Sequence, residues 1–534
     1  MQTRFLAMSA SCVLLFGLAG CGGGSSGTTI STSENATTLS SSVTGTANPQ
    51  VASYSVTLPK PGNVSVEFGP DTSYGFSTSQ QHTPATSPLT VNILVAGMKG
   101  ATDYHMRADV DYDDGSSIKD SDQTFTTGAV PNVIPTLTVT ANSGMTPQPG
   151  IELIDPVTPH YYAPFATDLQ GNPIWTYNPP EIQGGGTSEL IYPVKLLANG
   201  HMMCIIGTNS SNVASTPPPP GATNVLREFD LAGNTVRQIS IPDLNTKLAA
   251  GAATNPSFNL SLQVFSHDFT PLPNGHILVI ANTVKSFTDL PGYPGTTNVV
   301  GDVVVDLDQD LNPVWLWNEF DHLDVNRHPM NFPDWTHTNA VAYSPDDGNF
   351  LVSIRHQSWI VKVDYRDGAG SGNILWKLGQ GGDFKLGGAT DPTDWFYAQH
   401  DVNFVSSNTT GSFKLAIMDN GDNRLFPSGL TCGATGAPAC YTTIPVMQVD
   451  ENAKTASFLF HQVLPSNLYS FFAGSTRVQP NTNVEYNLAG LPVSAYVYEV
   501  TPTATPQTVW KMYISNANTY RSIRMPSLYP GVQW

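Results

Sequence analysis

The chain has 534 residues, too many for one ordinary domain, so about two to four are expected unless one of them is a large closed β architecture. Only 12% of the residues are charged while Gly (46) and Pro (42) abound, which disfavours long salt-bridged helices and makes all-β the leading class. A net charge of −19 excludes non-specific partnership with nucleic acid or an anionic membrane surface, and it requires any anionic substrate to meet a locally positive site.

Residues 1–21 begin with Arg4 and an apolar run from Phe5 through Leu18, too short to span a bilayer, and read as a secretory signal. The run ends in Leu18-Ala19-Gly20-Cys21, which resembles a bacterial lipoprotein cleavage box. By that resemblance Cys21 is acylated and anchors the mature chain in a bilayer, and Gly22 after it implies the outer membrane facing the periplasm. Residues 22–49 are almost entirely Gly, Ser, Thr, Ala and Asn, unable to bury a core, and predict a flexible tether.

From 50 to 129 the pattern changes to short alternating runs such as Ala52–Leu58, Val64–Phe68 and Leu89–Leu94, separated by Pro and Gly. That predicts a small β-sandwich of fibronectin or immunoglobulin-like type. Within it Asp109, Asp111, Asp113 and Asp114 precede Gly115, but the glycine falls one position too late for a calcium loop, so an Asp-Gly hairpin turn is the reading.

Residues 130–534 repeat a unit made of an acid at a strand end, a turn and a Trp-ending or apolar return strand. Copies start at Asp168, Asp230, Asp306, Asp364, Asp450 and Glu499, at intervals of 62, 76, 58, 86 and 49 residues. Six unequal copies suit blades of four strands with different insertions better than a solenoid, and predict a six-bladed β-propeller. Between them lie hairpins such as Leu196–Met203, Leu272–Val279 and Tyr343–Val352, read as the inner two strands of successive blades.

Three blades place a histidine at the start of the innermost strand, in Ser266-His267-Asp268, Thr336-His337-Thr338 and Gln399-His400-Asp401. The spacings of 70 and 63 residues are about one blade each, so the ring brings the three imidazoles to one mouth of the channel. Arg355 joins them, because it and His337 are equally distant from Asp346 in the turn of one hairpin. Its guanidinium fork suits a tetrahedral oxyanion. Asn339 and Thr476 are expected to add neutral donors, His201 and His276 sit in turns at the other end, and His356 is expected to face away from Arg355 as packing. Cys432 and Cys440 read as a disulfide around a small surface loop, and Cys204 as a buried thiol.

His267-Asp-Phe, Asp334-Trp-Thr-His-Thr-Asn339, Ser353-Ile-Arg-His-Gln357, Gln399-His400 and the Cys432/Cys440 loop occur in an order and spacing that resemble the bacterial arylsulfate sulfotransferases, a likeness running on to Tyr520–Pro526. The resemblance implies a nucleotide-independent transfer of a sulfuryl group from an aryl sulfate donor to a phenol acceptor. It also implies that His400 is the nucleophile and becomes transiently sulfated, with His267, His337 and Arg355 around the sulfate. The chemistry such groups permit is a two-step exchange, with one of His267 and His337 as acid and base, and no metal or cofactor.

A metal site built from the same histidines is a rival that Arg355 opposes by repulsion. Neither the C/S-x-P-x-R motif of type I sulfatases nor a phosphate-binding Gly-rich loop stands in the sequence. The reading from a different class is a non-catalytic envelope lipoprotein whose propeller binds a ligand or a partner protein. Assembly into a homo-oligomer is left open.

Overall fold

The computed structural model describes residues 39–157, 162–182, 189–208 and 224–534; the signal and the expected anchor at Cys21 lie outside them. The described chain is all-β apart from one α-helix, Ile241–Gly251, capped by the Ser240 side chain, and short 3-10 turns. No described helix is long and apolar enough to cross a membrane.

Two antiparallel sheets come first. One holds Ser40–Gly45, Ala52–Thr57 and Thr90–Val95, and the other is built on Gly62–Gly69 and Asp103–Tyr112. Their strands alternate buried and exposed residues because only one face is covered, and Tyr54, Val56, Val66, Phe68, Ile93 and Met106 meet in a shared core. Ser40–Gly45 falls within the segment composition marked as tether. It forms a strand because Leu39 is buried and Val43 packs on that core while the backbone pairs with Ala52–Thr57.

Six further sheets follow. Sheet I pairs Ile151–Pro156 with Thr519–Met525, so a strand from late in the chain becomes the innermost strand of the first sheet. Sheets II, III and IV are single runs of four strands opening with Glu189–Leu196, Leu262–Pro271 and Thr338–Ser344. Sheet V opens with His400–Phe404 and takes a parallel fifth strand, Lys385–Gly387, on its outer edge; sheet VI opens with Ser475–Val478 and takes an antiparallel fifth strand, Thr136–Ala141, on its own. The opening strands touch in order, II to III, III to IV, IV to V, V to VI, VI to I and I to II. Strands covered on both faces, such as Asn349–Ile354 and Val484–Leu491, are buried at every residue.

All six copies of the acid-turn-return unit lie at the turn between third and fourth strands. In the first two copies the aspartate accepts the backbone N–H four residues on, Asp168 from Asn172 (2.9 Å) and Asp230 from Asn234 (2.9 Å), and in the third Asp308 does so from Asn312 (2.8 Å). Tryptophans fasten four of the sheets to the next, I to II, III to IV, IV to V and VI to I. Trp175 Nε1 donates to the Leu231 carbonyl (2.9 Å), Trp317 to Gly372 (2.8 Å), Trp376 to the Glu451 carboxylate (2.8 Å), and Trp510 back to Leu169 (2.8 Å). In the third copy Trp317, two residues beyond Trp315 on the same strand, makes this bond.

The segment after Thr519–Met525 returns to the N-terminal sheets. The Tyr529 hydroxyl accepts from the Ala96 N–H (2.7 Å) and donates to the Leu94 carbonyl (2.8 Å), and Trp534 packs edge-on against Phe68 and Phe76 with centroids 5.8 and 5.5 Å away. Trp534→Ala is expected to lower stability by about 2 kcal/mol. Urea unfolding followed by near-ultraviolet circular dichroism checks this, and an unchanged midpoint would show that the contact is dispensable.

Candidate active site

The three histidines sit at matching irregularities of three neighbouring sheets. The pairing of each innermost strand with the second slips between Phe265 and Phe269, between Thr338 and Ala340, and between His400 and Asn403. His267, His337 and Asp401 adopt left-handed backbone angles, φ +55°, +51° and +55°, that non-glycine residues rarely take. Such bulges re-aim a side chain out of the sheet face. The His267 and His337 rings lie 4.5 Å apart, and those of His337 and His356 stack at 4.6 Å. His267 lies within its strand, Leu262–Pro271, rather than at the strand's beginning.

His400 is buried and its tautomer is determined. Asn420 Nδ2 donates to the carbonyls of Ser470 (2.8 Å) and Ala473 (3.0 Å), which turns Oδ1 toward His400. His400 Nδ1–H therefore donates to Asn420 Oδ1 (2.6 Å), and the Nε2 lone pair accepts the Ala473 N–H (3.2 Å). Burial first, then the nearby Arg355 charge, holds His400 well below its ordinary pKa, so it is a neutral base. Burial and His337 act in the same direction on His267.

The hairpin pairs Thr338 with Ile354, which brings Arg355 level with His337 as expected. Arg355 Nη2 bonds Asp422 (2.8 Å) and the Phe471 carbonyl (3.2 Å), while Nη1 donates to His356 Nε2 (2.7 Å). His356 therefore carries its proton on Nδ1 and donates it to the Asp334 carbonyl (2.8 Å). The expectation that His356 faces away is corrected. Residues Arg355–Gln357 form a 3-10 turn, not a strand, so neighbouring side chains do not alternate faces. Burial and His337 hold its pKa at about 3.

Asp334 backs His337, its Oδ2 2.5 Å from Nδ1. Burial pushes the Asp334 carboxyl up, but the histidines around it outweigh this and keep it well below the usual carboxylate range. Thr336 and Thr338, on either side of His337, are clamped by two buried acids. Asp302 accepts from Thr336 Oγ1 (2.7 Å) and the Thr338 N–H (2.8 Å), and Glu319 accepts from Thr338 Oγ1 (2.5 Å). Burial raises both acids, Glu319 to about 7.

Asp334, His337 and His356 could between them offer three ligand atoms to a cation. Both His356 nitrogens are committed, one of them to a guanidinium that would repel the ion, so the donor set does not fit a metal.

Asn339 and Thr476 are both buried. Asn339 Nδ2 donates to the Gln399 carbonyl (2.7 Å) and so ties sheet IV to the residue before His400, while Thr476 Oγ1 has no hydrogen-bond partner. His201 and His276 bond Glu228 (2.7 Å) and Asp306 (3.0 Å) beside the turns between first and second strands, and take no part here.

Beneath the histidines lies a residue that sequence reasoning missed. Arg521, 2% exposed, reaches from sheet I to Asp268 (2.9 and 3.2 Å), Asp401 (3.2 Å) and the Asn339 carbonyl (3.0 Å). Asp268 also meets Lys195 (2.7 Å), and Asp401 meets Arg477. The available signal was the repeated His-Asp doublet at 267–268 and 400–401. Asn420 and Asp422 were missed as well. They lie in the polar run Asp419–Arg424, where buried Arg424 bonds Asp419 and Gly421, at φ +84°, has no room for a side chain because a Cβ would fall 1.9 Å from the Tyr441 carbonyl. Cys432 and Cys440 form the expected disulfide, and the Cys432 N–H bonds the Arg424 carbonyl (2.8 Å), so the loop braces this run. Cys204 is a free buried thiol, as expected.

The family model described as arylsulfotransferase (ASST) matches residues 139–521. No curated protein matches the chain. Among solved structures, a protein of unknown function from Bacteroides caccae is 10% identical with a TM-score of 0.35, covering 71% of this chain and 100% of its own. A putative 6-phosphogluconolactonase from Bacteroides fragilis is 8% identical with a TM-score of 0.35, covering 87% and 98%. A mutant NanB sialidase from Streptococcus pneumoniae is 9% identical with a TM-score of 0.26, covering 90% and 68%. At that level these structures have no bearing on function.

Arg521→Met is expected to cost about 3 kcal/mol, since Lys195 and Arg477 still face the two carboxylates but the bridge between sheets is gone. Chemical denaturation measures it, and a variant as stable as the parent would show that the bridge contributes nothing.

Proposed function

The chain belongs to the arylsulfotransferase family and is a sulfotransferase enzyme of aryl sulfate donors and phenol acceptors, and we propose that within this activity His400 carries the sulfuryl group between the two. The observation that supports this most directly is the fixed neutral tautomer of His400, with Nδ1–H held by Asn420 and Nε2 presenting its lone pair beside Arg355.

In the first half-reaction the Nε2 lone pair forms a bond to sulfur as the bond from sulfur to the aryl oxygen breaks. The aryl oxygen keeps the bonding pair and takes a proton from His337. The ionised Asp334 supports that proton and favours His337 over His267 as the acid and base. Arg355 and His267 meet the charge on the sulfuryl oxygens, and Thr476 adds a neutral hydroxyl while Asn339 steadies the backbone before His400. Nε2 gives up the Ala473 N–H when it bonds sulfur. In the second half an incoming phenol loses its proton to His337, its oxygen bonds sulfur, and the nitrogen–sulfur pair returns to Nε2.

The six sheets are read as a six-bladed propeller spanning 130–534 and the two earlier ones as the β-sandwich expected over 50–129, extended back to take in Ser40–Gly45. The closed series of contacts and the indole bonds between sheets support this. The cleavage-box pattern ending at Cys21 and the disulfide together favour a lipid-anchored enzyme of an oxidising envelope compartment, at the outer membrane facing the periplasm.

His400→Asn is expected to abolish phenol release from a chromogenic aryl sulfate while the protein stays folded; full activity would remove His400 from the chemistry. With donor and no acceptor, peptide mapping is expected to find one acid-labile sulfuryl group on the His400 peptide, and finding it elsewhere would move the assignment. His400 stays deprotonated as pH falls through its ordinary 6.5, so the acid limb of kcat/KM is expected below pH 6.5. A limb centred at or above that value contradicts the neutral nucleophile.

A further inference from the structure

We propose that Phe471 is the platform on which the aromatic ring of the substrate stacks, making residues 469–474 the element that sets aryl specificity. The inference rests on the reading that the sulfate group sits at Arg355, and it names what holds the rest of the molecule.

The backbone of this strap is fixed at almost every residue. The Tyr469 hydroxyl donates to Asp422. The Ser470 N–H donates to Thr442 Oγ1 (2.8 Å), and its hydroxyl accepts the Gly490 N–H (2.9 Å). The Phe471 carbonyl accepts from Arg355 and the Ala473 N–H donates to His400. At Gly474, φ +95°, a Cβ would lie 2.5 Å from the Asn487 carbonyl, so the strap ends on a glycine by necessity.

A strap held this firmly nevertheless leaves the Phe471 side chain 47% exposed, and Phe471 is the single aromatic among the exposed large hydrophobics of the described residues. Covering that ring with the aromatic part of a substrate would bury apolar surface on both and so favour binding. Phe472 turns inward to the cluster of Val157, Ala473, Ala489 and Tyr520, its ring 5.0 Å from that of Phe471. Tyr520 in turn lies 6.1 Å from His267. One apolar wall thus runs from Phe471 past the nucleophile to the far side of the site. The Phe471 carbonyl itself touches Arg355, so the residue that carries the ring is anchored directly on that guanidinium.

The test uses the full chain with Phe471→Ala, Phe471→Leu and Phe471→Trp, a fixed phenol acceptor, and phenyl and naphthyl sulfates as donors. In the Ala and Leu variants KM for the phenyl donor is expected to rise about three- to tenfold, the worth of one aromatic pair, with a larger rise for the naphthyl donor and recovery in the Trp variant. Equal KM values for parent and Ala variant with both donors would overturn the proposal, as would a loss confined to kcat. This ratio tests Phe471 whichever residue carries the sulfuryl group, while labelling of His400 tests the nucleophile alone, so the two readings fail separately.

Discussion

One buried guanidinium holds the centre of the molecule. Arg521 comes from a strand late in the chain and meets Asp268 of sheet III, Asp401 of sheet V and a backbone carbonyl of sheet IV, all out of contact with water. A charge so placed is tolerated only when it is paired and hydrogen-bonded, which makes the relative positions of those sheets a condition of its burial. Because Asp268 follows His267 and Asp401 follows His400, the same condition fixes the backbones that carry two of the site imidazoles. The bulges beside them then let each histidine turn one way while its aspartate turns the other.

The electrostatic character of the site follows from a second layer of partners. A protein of net charge −19 must attract an anion locally, yet Arg355 is balanced by Asp422 and His337 by Asp334. What the site offers is oriented donors and neutral imidazoles rather than surplus positive charge. His400 and His267 are buried near guanidinium groups, and burial first and those charges with it disfavour their protonation.

Much of this is legible in the chain. The acid-turn-return unit can be counted because each copy marks the same turn, where in several copies an aspartate caps the backbone and a tryptophan reaches the next sheet. The alignment of His337 with Arg355 follows from strand register alone. What escapes depends on contacts between distant segments. Asn420 and Asp422 look like ordinary turn residues until the strap at 469–474 is seen against them. His356 misleads because a 3-10 turn replaces the expected strand. Arg521 carries no mark of its own, and only the His-Asp doublets that hold its two partners point to it. Ser40–Gly45 escapes because its composition is that of a linker and only its partner strand makes it a strand.

The pairing of Ile151–Pro156 with Thr519–Met525 has a consequence for when the enzyme exists. A ribosome delivers the first of these strands long before the second, and until then sheet I lacks its innermost strand and Asp268 and Asp401 lack their common guanidinium. Five sheets can emerge, and His267, His337 and His400 with them, without being held in register. Catalytic competence therefore arrives in one late step, coincident with topological completion, so a chain whose final strand has yet to emerge is silent toward sulfate esters.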